Sequence, residues 1–293
     1  MRIIFIGTVL LSESLLLKLL ELKVNIVGVV TKPSSSFNND YADIGKIALK
    51  SKIPLLNTFN INSLESILWM KNKAPDYIFC FGWSQLLRKD VLEIPTKNVI
   101  GYHPSLLPNN KGRHPLIWAK VLGLKKTGST FFVMDEGIDS GRIVSQKEFE
   151  ITFEDDANSL YNKMIQIAKS QIIYISNNLN DLYSISIPQL SEGNTWRKRS
   201  IIDGQIDFRM NTNLICNLVR GITHPYFGSH FLYNNQIIKV WEVCPYPYFN
   251  DNDEPGKILF VNENSIVVKT GDSAIELFNL EDYSLFKENE YII

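Results

Sequence analysis

Two residues in the middle of the chain, His103 and Asp139, could form an acid–base pair. His103 ends an apolar run, 99–102, that has the character of a β-strand. Asp139 lies in a glycine-flanked acidic loop, 135–141, directly after a second strand-like run, 129–134. In open α/β sheets ligands bind on the loops outside the carboxyl ends of the strands, so we expect both side chains at one rim. A histidine and a carboxylate placed together there can move a proton or stabilise charge.

Each of these residues also has an ordinary structural interpretation. A single histidine near a strand end is most often a hydrogen-bonded structural residue, and an aspartate in a loop of sequence E-G-x-D-S-G commonly stabilises a turn. The chemical interpretation depends on four motifs that follow one another within residues 98–146. In chain order they are H-P-S-L-L-P, K-G-R-H-P, T-G-S-T and M-D-E-G-I-D-S-G.

Together these motifs resemble the active-site core of the formyltransferases that use 10-formyltetrahydrofolate, which include methionyl-tRNA formyltransferase and the sugar-nucleotide N-formyltransferases. The resemblance implies acyl transfer to an amine, in which a tetrahedral oxyanion forms and the attacking nitrogen loses a proton. In this scheme His103 stabilises the oxyanion, while Asp139 holds the proton of the ring and also accepts a proton through a water. The scheme requires no metal ion, and the sequence has no ligand cluster for one.

One position departs from the family pattern. Two residues before the catalytic histidine the family has an asparagine that helps to bind the oxyanion, and this chain has Gly101 there. Loss of one oxyanion donor costs roughly 2.7–4 kcal/mol in one well-studied enzyme. The groups that could replace it are the backbone amide at Gly101 and the side chains of Asn109, Asn110 and His114.

The resemblance also assigns residues to two binding sites. The folate site would comprise Phe81, Gly82, Trp83, Ser105, Leu106, Leu107, Pro108, Met134, Gly137 and Ile138. A nucleotide-linked acceptor needs an aromatic surface for stacking and cations for a diphosphate, and Tyr41, Trp83, Lys111 and Arg113 could supply these. Trp83 could equally pack under the next helix, and Arg113 could serve only to cap a helix.

The identity of the acceptor rests on charge and on local sequence. Initiator tRNA needs several Lys or Arg contacts to phosphates. The net charge is −1, and the loop 34–40 has neither Lys nor Arg, although 197–199 and Lys239 could form a local basic patch. The segments N-N-D-Y-A-D-I, F-C-F-G-W-S-Q-L-L, K-G-R-H-P-L-I-W and N-T-W-R-K-R look more like the sugar-nucleotide N-formyltransferases than the tRNA enzymes.

We therefore expect formyl transfer from 10-formyltetrahydrofolate to the amino group of a nucleotide-linked amino deoxysugar, used in surface polysaccharide or glycan synthesis. Methionyl-tRNA formylation is the alternative. A hydrolase of 10-formyltetrahydrofolate, or a folate-binding module without catalysis, is the second alternative. The resemblance also implies a homodimer, and neither nucleic acid nor a membrane is expected as a partner.

Composition is that of a globular protein. Of the 293 residues 45% are hydrophobic and 21% charged, and the pI is about 6.4. The three cysteines, Cys80, Cys216 and Cys244, form no C-x-x-C motif, so neither a disulfide framework nor a zinc site is expected. The first residues lack a signal-peptide layout, and no apolar stretch approaches the ~20 residues of a membrane span. A cytoplasmic protein is the default expectation.

The first half of the chain has the pattern of an α/β domain. Strands are predicted at 2–7, 25–30 and 77–81, and helices at 12–22, 41–51, 63–72, 115–122 and 154–177. The initial strand–helix–strand order predicts a Rossmann-like, mostly parallel sheet with right-handed crossovers. Because G-x-G-x-x-G is absent, a nicotinamide or flavin dinucleotide site is not expected.

The second half of the chain has a different sequence pattern. Residues 186–199 have the composition of a linker, and a turn with a short strand follows over 203–208. A helix is predicted at 212–222, followed by strands at 229–233, 237–243, 256–261, 265–270 and 274–280, a spacing typical of a small OB-like β-barrel. The motifs R-K-R-S-I-I-D-G-Q-I-D-F and N-L-V-R-G-I-T-H-P-Y-F-G extend the family resemblance here. We expect a catalytic domain at 1–188, a linker at 189–200 and a barrel-like domain at 201–293.

Overall fold

The computed structural model describes residues 1–34, 40–190 and 192–292. Most of the polar loop predicted at 33–40 therefore lies outside the described residues. The chain forms two compact units. The first comprises Met1–Gly112, Thr127–Phe149 and Asn162–Trp196, and the second comprises Arg113–Lys126, Glu150–Tyr161 and Arg197–Ile293.

Nine strands belong mainly to the first unit. They are β1 (Ile3–Ile6), β2 (Ile26–Thr31), β3 (Leu55–Asn57), β4 (Tyr77–Cys80), β5 (Asn98–His103), β6 (Lys111–Gly112), β7 (Lys126–Val133), β8 (Ile143–Glu150) and β9 (Thr195–Trp196). Seven of them build one sheet in the order β3-β2-β1-β4-β5-β7-β8, and β6 pairs with β9. Strands β1 to β5 run parallel, whereas β7 is antiparallel to β5.

The helices are α1 (Leu10–Glu21), α2 (Ile44–Lys50), α3 (Leu64–Asn72), α4 (Lys89–Leu92), α5 (Pro115–Val121), α6 (Ala157–Asn177), α7 (Leu182–Ile185) and α8 (Thr212–Ile222). All residues of β1 and β4 are buried, as expected for parallel strands covered on both faces. The Ser63 side chain accepts a hydrogen bond from Ser66 N–H and caps α3. Within the described residues, no helix has both the length and the apolarity that crossing a bilayer demands.

The first turn after β1 is fastened to the end of β4. Ser12 Oγ accepts hydrogen bonds from the backbone N–H groups of Thr8 and Val9, each at 3.1 Å, and donates to Phe81 O at 2.6 Å. Gly82 follows with φ 72°, and a Cβ there would clash with Val9 and Ser12. These contacts hold the carboxyl ends of β1 and β4 side by side, at the point where the strand order reverses direction.

The second unit contains α5, α8 and six antiparallel strands. These are β10 (Ser229–Tyr233), β11 (Gln236–Val240), β12 (Glu242–Tyr246), β13 (Ile258–Val261), β14 (Ser265–Lys269) and β15 (Ala274–Phe278). Strands β10 and β11 form a ribbon, and the others form a sheet in the order β12-β15-β14-β13. Its core joins the apolar face of α8, including Ile215 and Val219, to inward residues such as Phe231 and Ile266.

The predicted fold class is confirmed: a mostly parallel sheet with helices, followed by a domain of antiparallel strands. The helix predicted at 212–222 has the observed bounds of α8. The strand predicted at 237–243 is wrong, because the chain ends β11 at Val240 and begins β12 at Glu242. The short strand expected within 203–208 is reduced to an isolated parallel β-bridge between Gln205 and His230, which follows the 3-10 turn Ile201–Gly204.

Two further differences concern elements near the predicted catalytic residues. Strand β8 was not predicted, because its outer half, with Gln146, Lys147 and Glu148, looks like a polar loop. Strand β9 lies in the stretch that resembles a linker, and it pairs in parallel with β6 in the first unit. The predicted boundaries at 188 and 200 remain predictions.

Candidate active site

His103 ends β5 and is buried, with 5% of its surface exposed. Its Nε2 lies 2.8 Å from Asn110 O, and its Nδ1 lies 3.4 Å from Asp139 Oδ2. A carbonyl oxygen only accepts, so the first contact requires a proton on Nε2. Both ring nitrogens therefore face oxygen acceptors, and only the imidazolium form donates to both.

Asp139 is held by the backbone around it. It has φ 52°, a left-handed conformation that aspartate tolerates better than most residues. Its Oδ2 accepts a hydrogen bond from Gly112 N–H at 3.0 Å, and its carbonyl accepts one from Gln189 Nε2 at 2.9 Å. These contacts direct the carboxylate toward His103 within a loop that is otherwise mostly exposed.

The structure brings the two residues together by a different route from the one expected. Because β7 is antiparallel to β5, it ends at the level of Ile100 and not at the His103 end of the sheet. The following loop begins beside Val99, whose carbonyl accepts from Met134 N–H at 2.8 Å. The loop then returns to His103, so the expectation that both strands deliver their residues from carboxyl ends at one rim is wrong.

Gly101 is packed against side chains that leave no room for the family asparagine. A Cβ at this position would lie 2.7 Å from Met134 Cγ and 2.9 Å from Phe132 Cζ. Met134 therefore fills the volume next to β5 that an asparagine side chain would enter. The proposed substitutes Asn109 and Asn110 lie on the loop beside His103, where Asn110 contributes a carbonyl acceptor and no side-chain donor to the ring.

A cavity of about 490 Å³ lies between α4 and the start of the loop that follows β7. It is lined by Lys89, Leu92, Glu93, Met134, Asp135, Glu136 and Gly137. Its volume falls in the range of small-molecule sites. Met134 and Gly137 belong to the residues predicted to bind folate, and Met134 links the cavity wall to Gly101.

The other residues predicted for folate lie in three places. Phe81 and Gly82 follow β4, where Phe81 packs edge-to-face on Phe131 in the core. Ser105 and Leu107 are buried, the former donating from Oγ to Asn109 O at 2.9 Å. The remaining members differ in exposure: Leu106 and Pro108 are half-buried and Ile138 is 52% exposed.

The residues predicted for the acceptor fall into separate groups. Tyr41 and Trp83 lie at the carboxyl ends of the parallel strands, where Tyr41 Oη donates to Lys32 O at 3.1 Å and Lys32 Nζ lies 4.9 Å above the Trp83 ring. Lys111 is in β6, next to Gly112. Arg113 begins a segment of the second compact unit.

Some polar groups among the described residues at this end of the sheet lack a hydrogen-bond partner. Within the described part of the chain, Trp83 Nε1, Thr8 Oγ1 and Thr31 Oγ1 are buried without a hydrogen-bond partner. All three lie at or just after the carboxyl ends of β4, β1 and β2. Buried donors without partners are rare in folded proteins and commonly mark a place where a ligand or water binds.

Two titratable side chains, Tyr102 on β5 and Cys80 on β4, are held neutral. Burial raises the pKa of the Tyr102 phenol well above its usual value, and its Oη lies 2.8 Å from Ser129 Oγ. Burial also raises the pKa of the Cys80 thiol to about 12, so this thiol is not a reactive nucleophile. Across the described residues, no cluster of His, Cys, Asp and Glu has the arrangement of a metal site.

Several residues of this region stand in no recognisable sequence motif. Lys32 belongs to a T-K-P turn, and Lys89, Leu92 and Glu93 belong to a short polar segment that looks like ordinary surface. Asn194 contacts the loop beside His103 from 84 residues away in sequence, since its Oδ1 accepts from Asn110 N–H at 2.9 Å. The proximity of Asn194 has no local sequence pattern that could reveal it.

Comparisons with known proteins identify the family of the chain. Residues 1–175 match the family described as formyl transferase, and residues 200–283 match the one described as formyl transferase, C-terminal domain. The methionyl-tRNA formyltransferase of Halothermothrix orenii is 32% identical over 295 residues, which cover 96% of this chain and 92% of the relative.

Solved structures share the fold over nearly the whole chain. The sugar 3N-formyl transferase WlaRD, solved with dTDP and 5-N-formyl-THF, has a TM-score of 0.71 at 17% identity and covers 96% of this chain and 98% of that one. The N-formyltransferase from Helicobacter canadensis, in complex with folinic acid and dTDP-3-aminofucose, has a TM-score of 0.70 at 16% identity, with coverages of 95% and 98%. At these identities the likeness supports the fold alone. Taken with the family matches, it completes the assignment: the chain belongs to the formyl transferase family and is an enzyme of folate-dependent formyl transfer.

Proposed function

We propose that this enzyme transfers the formyl group of 10-formyltetrahydrofolate to the amino group of a nucleotide-linked amino deoxysugar. The observation that carries the chemistry is the contact between His103 and Asp139. The proposed identity of the acceptor has separate support. It rests on the net charge of the chain and on the polar and aromatic side chains at the carboxyl ends of β1, β2 and β4.

The cavity suits a reduced pterin. Leu92 and Met134 offer apolar surface for a flat heterocycle, and the carboxylates of Glu93 and Glu136 offer acceptors for its N–H groups. Lys89 at the same cavity carries a positive charge for the anionic glutamate tail. When bound, the folate supplies the formyl group that is transferred.

His103 and Asp139 have different roles in the proposed reaction: His103 stabilises the oxyanion, and Asp139 orients the ring and accepts a proton. Asp139 Oδ2 holds a proton on His103 Nδ1, so the ring presents positive charge where an oxyanion develops. Asp139 also serves as the acceptor for the proton of the amine, through a water. Because His103 is buried, a charge that develops beside it during the reaction is screened less than it would be in water.

A nucleotide-linked acceptor is supported by the cluster of Lys32, Trp83 and Tyr41. The ammonium group of Lys32 lies above the Trp83 ring, which combines a cation for phosphate with an aromatic surface. The buried N–H of Trp83 has no partner and is available to a ligand oxygen. The cluster lies where the strand order reverses, the usual place for ligands in such sheets.

Methionyl-tRNA is the second candidate, and a specific observation favours it. The relative that is 32% identical along nearly the whole chain is a methionyl-tRNA formyltransferase. Against it stands the net charge of −1, since tRNA binding draws most of its affinity from phosphate contacts.

A thermal-shift comparison distinguishes the two acceptors. The protein is titrated at physiological salt with dTDP, UDP and GDP, and separately with initiator tRNA. We expect at least one nucleotide to raise the melting temperature and Lys32→Ala to weaken that effect, with Lys46→Ala, an exposed lysine on α2, as the matched control. A rise with tRNA and with none of the nucleotides would replace the sugar-nucleotide proposal by tRNA formylation.

A turnover assay tests the reaction itself. Formate release in the absence of any amine acceptor would indicate a hydrolase, because water would then replace the amine. We expect formate release to remain slow and N-formyl product to form only when an amino-sugar nucleotide is added. Absence of both products with either acceptor class would contradict catalysis.

A further inference from the structure

The segment 193–196 returns to the loop that follows His103. Strand β9 pairs in parallel with β6, placing Thr195 opposite Lys111 and Trp196 opposite Gly112. Just before β9, Asn194 makes two contacts: its carbonyl accepts from Lys111 N–H at 3.0 Å, and its Oδ1 accepts from Asn110 N–H at 2.9 Å. Main chain and side chain of one residue thus hold two successive amides of the same loop.

That loop touches both members of the catalytic pair. The Asn110 carbonyl accepts from His103 Nε2 at 2.8 Å, and Gly112 N–H donates to Asp139 Oδ2 at 3.0 Å. Asn110 has φ 63°, in the left-handed region, so its carbonyl direction depends on what fixes its backbone. The peptide that carries this carbonyl is held through Lys111 N–H by the Asn194 carbonyl, and the preceding peptide is held through Asn110 N–H by the Asn194 amide oxygen.

We propose that Asn194 is a positioning residue for formyl transfer, acting through Asn110 on the ring of His103. By holding the peptides on both sides of Asn110, it fixes the backbone of that residue, keeps the Asn110 carbonyl aimed at His103 Nε2 and so keeps Nδ1 turned toward Asp139. The inference rests on the proposed role of His103 and Asp139, although the hydrogen bonds that carry it are independent of the acceptor.

The kinetic test compares Asn194→Ala with Asn194→Asp. Aspartate retains an oxygen acceptor for Asn110 N–H, whereas alanine removes it. We expect Asn194→Ala to lower kcat about tenfold, since small misplacements of reacting groups cost of this order, with KM for the folate within twofold. Asn194→Asp should restore kcat to within about twofold of wild type. Glu192→Gln, an exposed neighbour, is the matched control.

A spectroscopic test reads the ring directly. The chain has four histidines, so ¹⁵N-labelled imidazoles give few signals, and His103→Gln identifies the one of interest. We expect a protonated Nε2 in wild type and in Asn194→Asp, and an altered or exchange-broadened ring signal in Asn194→Ala. This readout remains valid even if the enzyme acts on a different acceptor.

The two measurements together decide the proposal. An unchanged His103 signal in Asn194→Ala overturns it, whether or not kcat falls, because a fall would then reflect general destabilisation. A changed signal with kcat within twofold of wild type overturns it as well, since the ring position would not limit the reaction. A changed signal, a lower kcat and recovery in Asn194→Asp support it.

Discussion

At the scale of single residues, the site depends on two oxygen atoms that face the same imidazole. Asp139 Oδ2 lies 3.4 Å from Nδ1 of His103, and Asn110 O lies 2.8 Å from Nε2. One acceptor is charged and the other is neutral. Removal of the carboxylate charge should therefore affect catalysis more than folding.

Replacement of Asp139 by asparagine tests this difference. The variant keeps an oxygen for Gly112 N–H and so should melt close to wild type, while kcat should fall by about 10²–10⁴. Stopped-flow or discontinuous assays of formyl transfer measure the change, with Asp251→Asn, an exposed residue of the second unit, as control. Activity within threefold of wild type would exclude a catalytic carboxylate at this position.

Gly101 gives a second prediction at this scale. The single variant Gly101→Asn should lose stability, because its Cβ would enter the space of Met134 and Phe132, and overpacking costs typically 1–3 kcal/mol. Met134→Ala opens that space, so the double variant Gly101→Asn/Met134→Ala should melt higher than Gly101→Asn alone.

The double variant also tests the missing oxyanion donor. Compared with Met134→Ala, it should gain up to about 10²-fold in kcat if an amide at this position reaches the oxyanion. Met134 is one of the residues predicted to bind folate, so the comparison is made at saturating folate. No gain over Met134→Ala would mean that another group already fills this role.

At the scale of elements, the start of α5 combines an unusual backbone with a titratable ring. His114 is the N-cap residue, with φ 55°, and its Nδ1 accepts from Arg199 N–H at 3.4 Å. Burial, together with the charges of Arg113, Lys198 and Arg199, lowers the pKa of His114 to about 4 from 6.5. The folded protein therefore binds this proton more weakly than the unfolded chain does.

The consequence is a loss of stability in mild acid. The contribution of His114 is complete above pH 6.5 and disappears as the pH falls through about 4, because the unfolded state takes up the proton first. His114→Asn removes the titration, and asparagine tolerates a left-handed backbone. Between pH 6.5 and 4 its melting temperature should fall by roughly 2–4 °C less than that of wild type.

Melting curves at pH 7.5 provide the reference for this comparison. There the ring is neutral in both states, so the difference between wild type and His114→Asn reflects only the substitution itself. Parallel curves of melting temperature against pH, from 7.5 down to 4, would mean that His114 does not contribute to acid sensitivity.

At the scale of the whole molecule, the chain has a separate core for each compact unit. In the second unit Phe231 is 1% exposed and packs against Phe208 with ring centroids 5.6 Å apart. Phe231→Ala should lower the free energy of unfolding of that unit by about 3–5 kcal/mol. Phe249→Ala, whose side chain is 90% exposed, should change it by less than about 0.5 kcal/mol, and urea titration measures both.

How far the sequence predicts this structure depends on the range of the interactions. Strands such as β1 and β4 are short continuous apolar runs, and α8 has a strong apolar face, so local pattern is sufficient for them. The direction of β7 depends on pairing with β5, and β9 depends on pairing with β6. A local hydrophobic period encodes neither the direction of a strand nor its pairing partner. The direction of β7 and the presence of β9 were therefore not predicted.

Residues of the candidate site show the same difference between local sequence signals and long-range contacts. His103, Asp139 and Gly101 were identified because they stand in motifs with fixed spacing. Asn194 reaches the site only through the fold, because it lies far from those motifs in sequence and looks like ordinary polar surface. Sequence patterns thus predicted the groups proposed to do chemistry better than the groups that hold or surround them.

The pairing of β6 with β9 has a consequence for biosynthesis. His103 and Asp139 leave the ribosome long before Thr195 and Trp196, since translation proceeds from the amino terminus. A nascent chain that ends before residue 195 already carries both reactive side chains but lacks the strand that aligns the loop between them. Completion of this site is therefore a late event in synthesis, because the 55 residues from Ser140 to Asn194 are made after Asp139 and before β9.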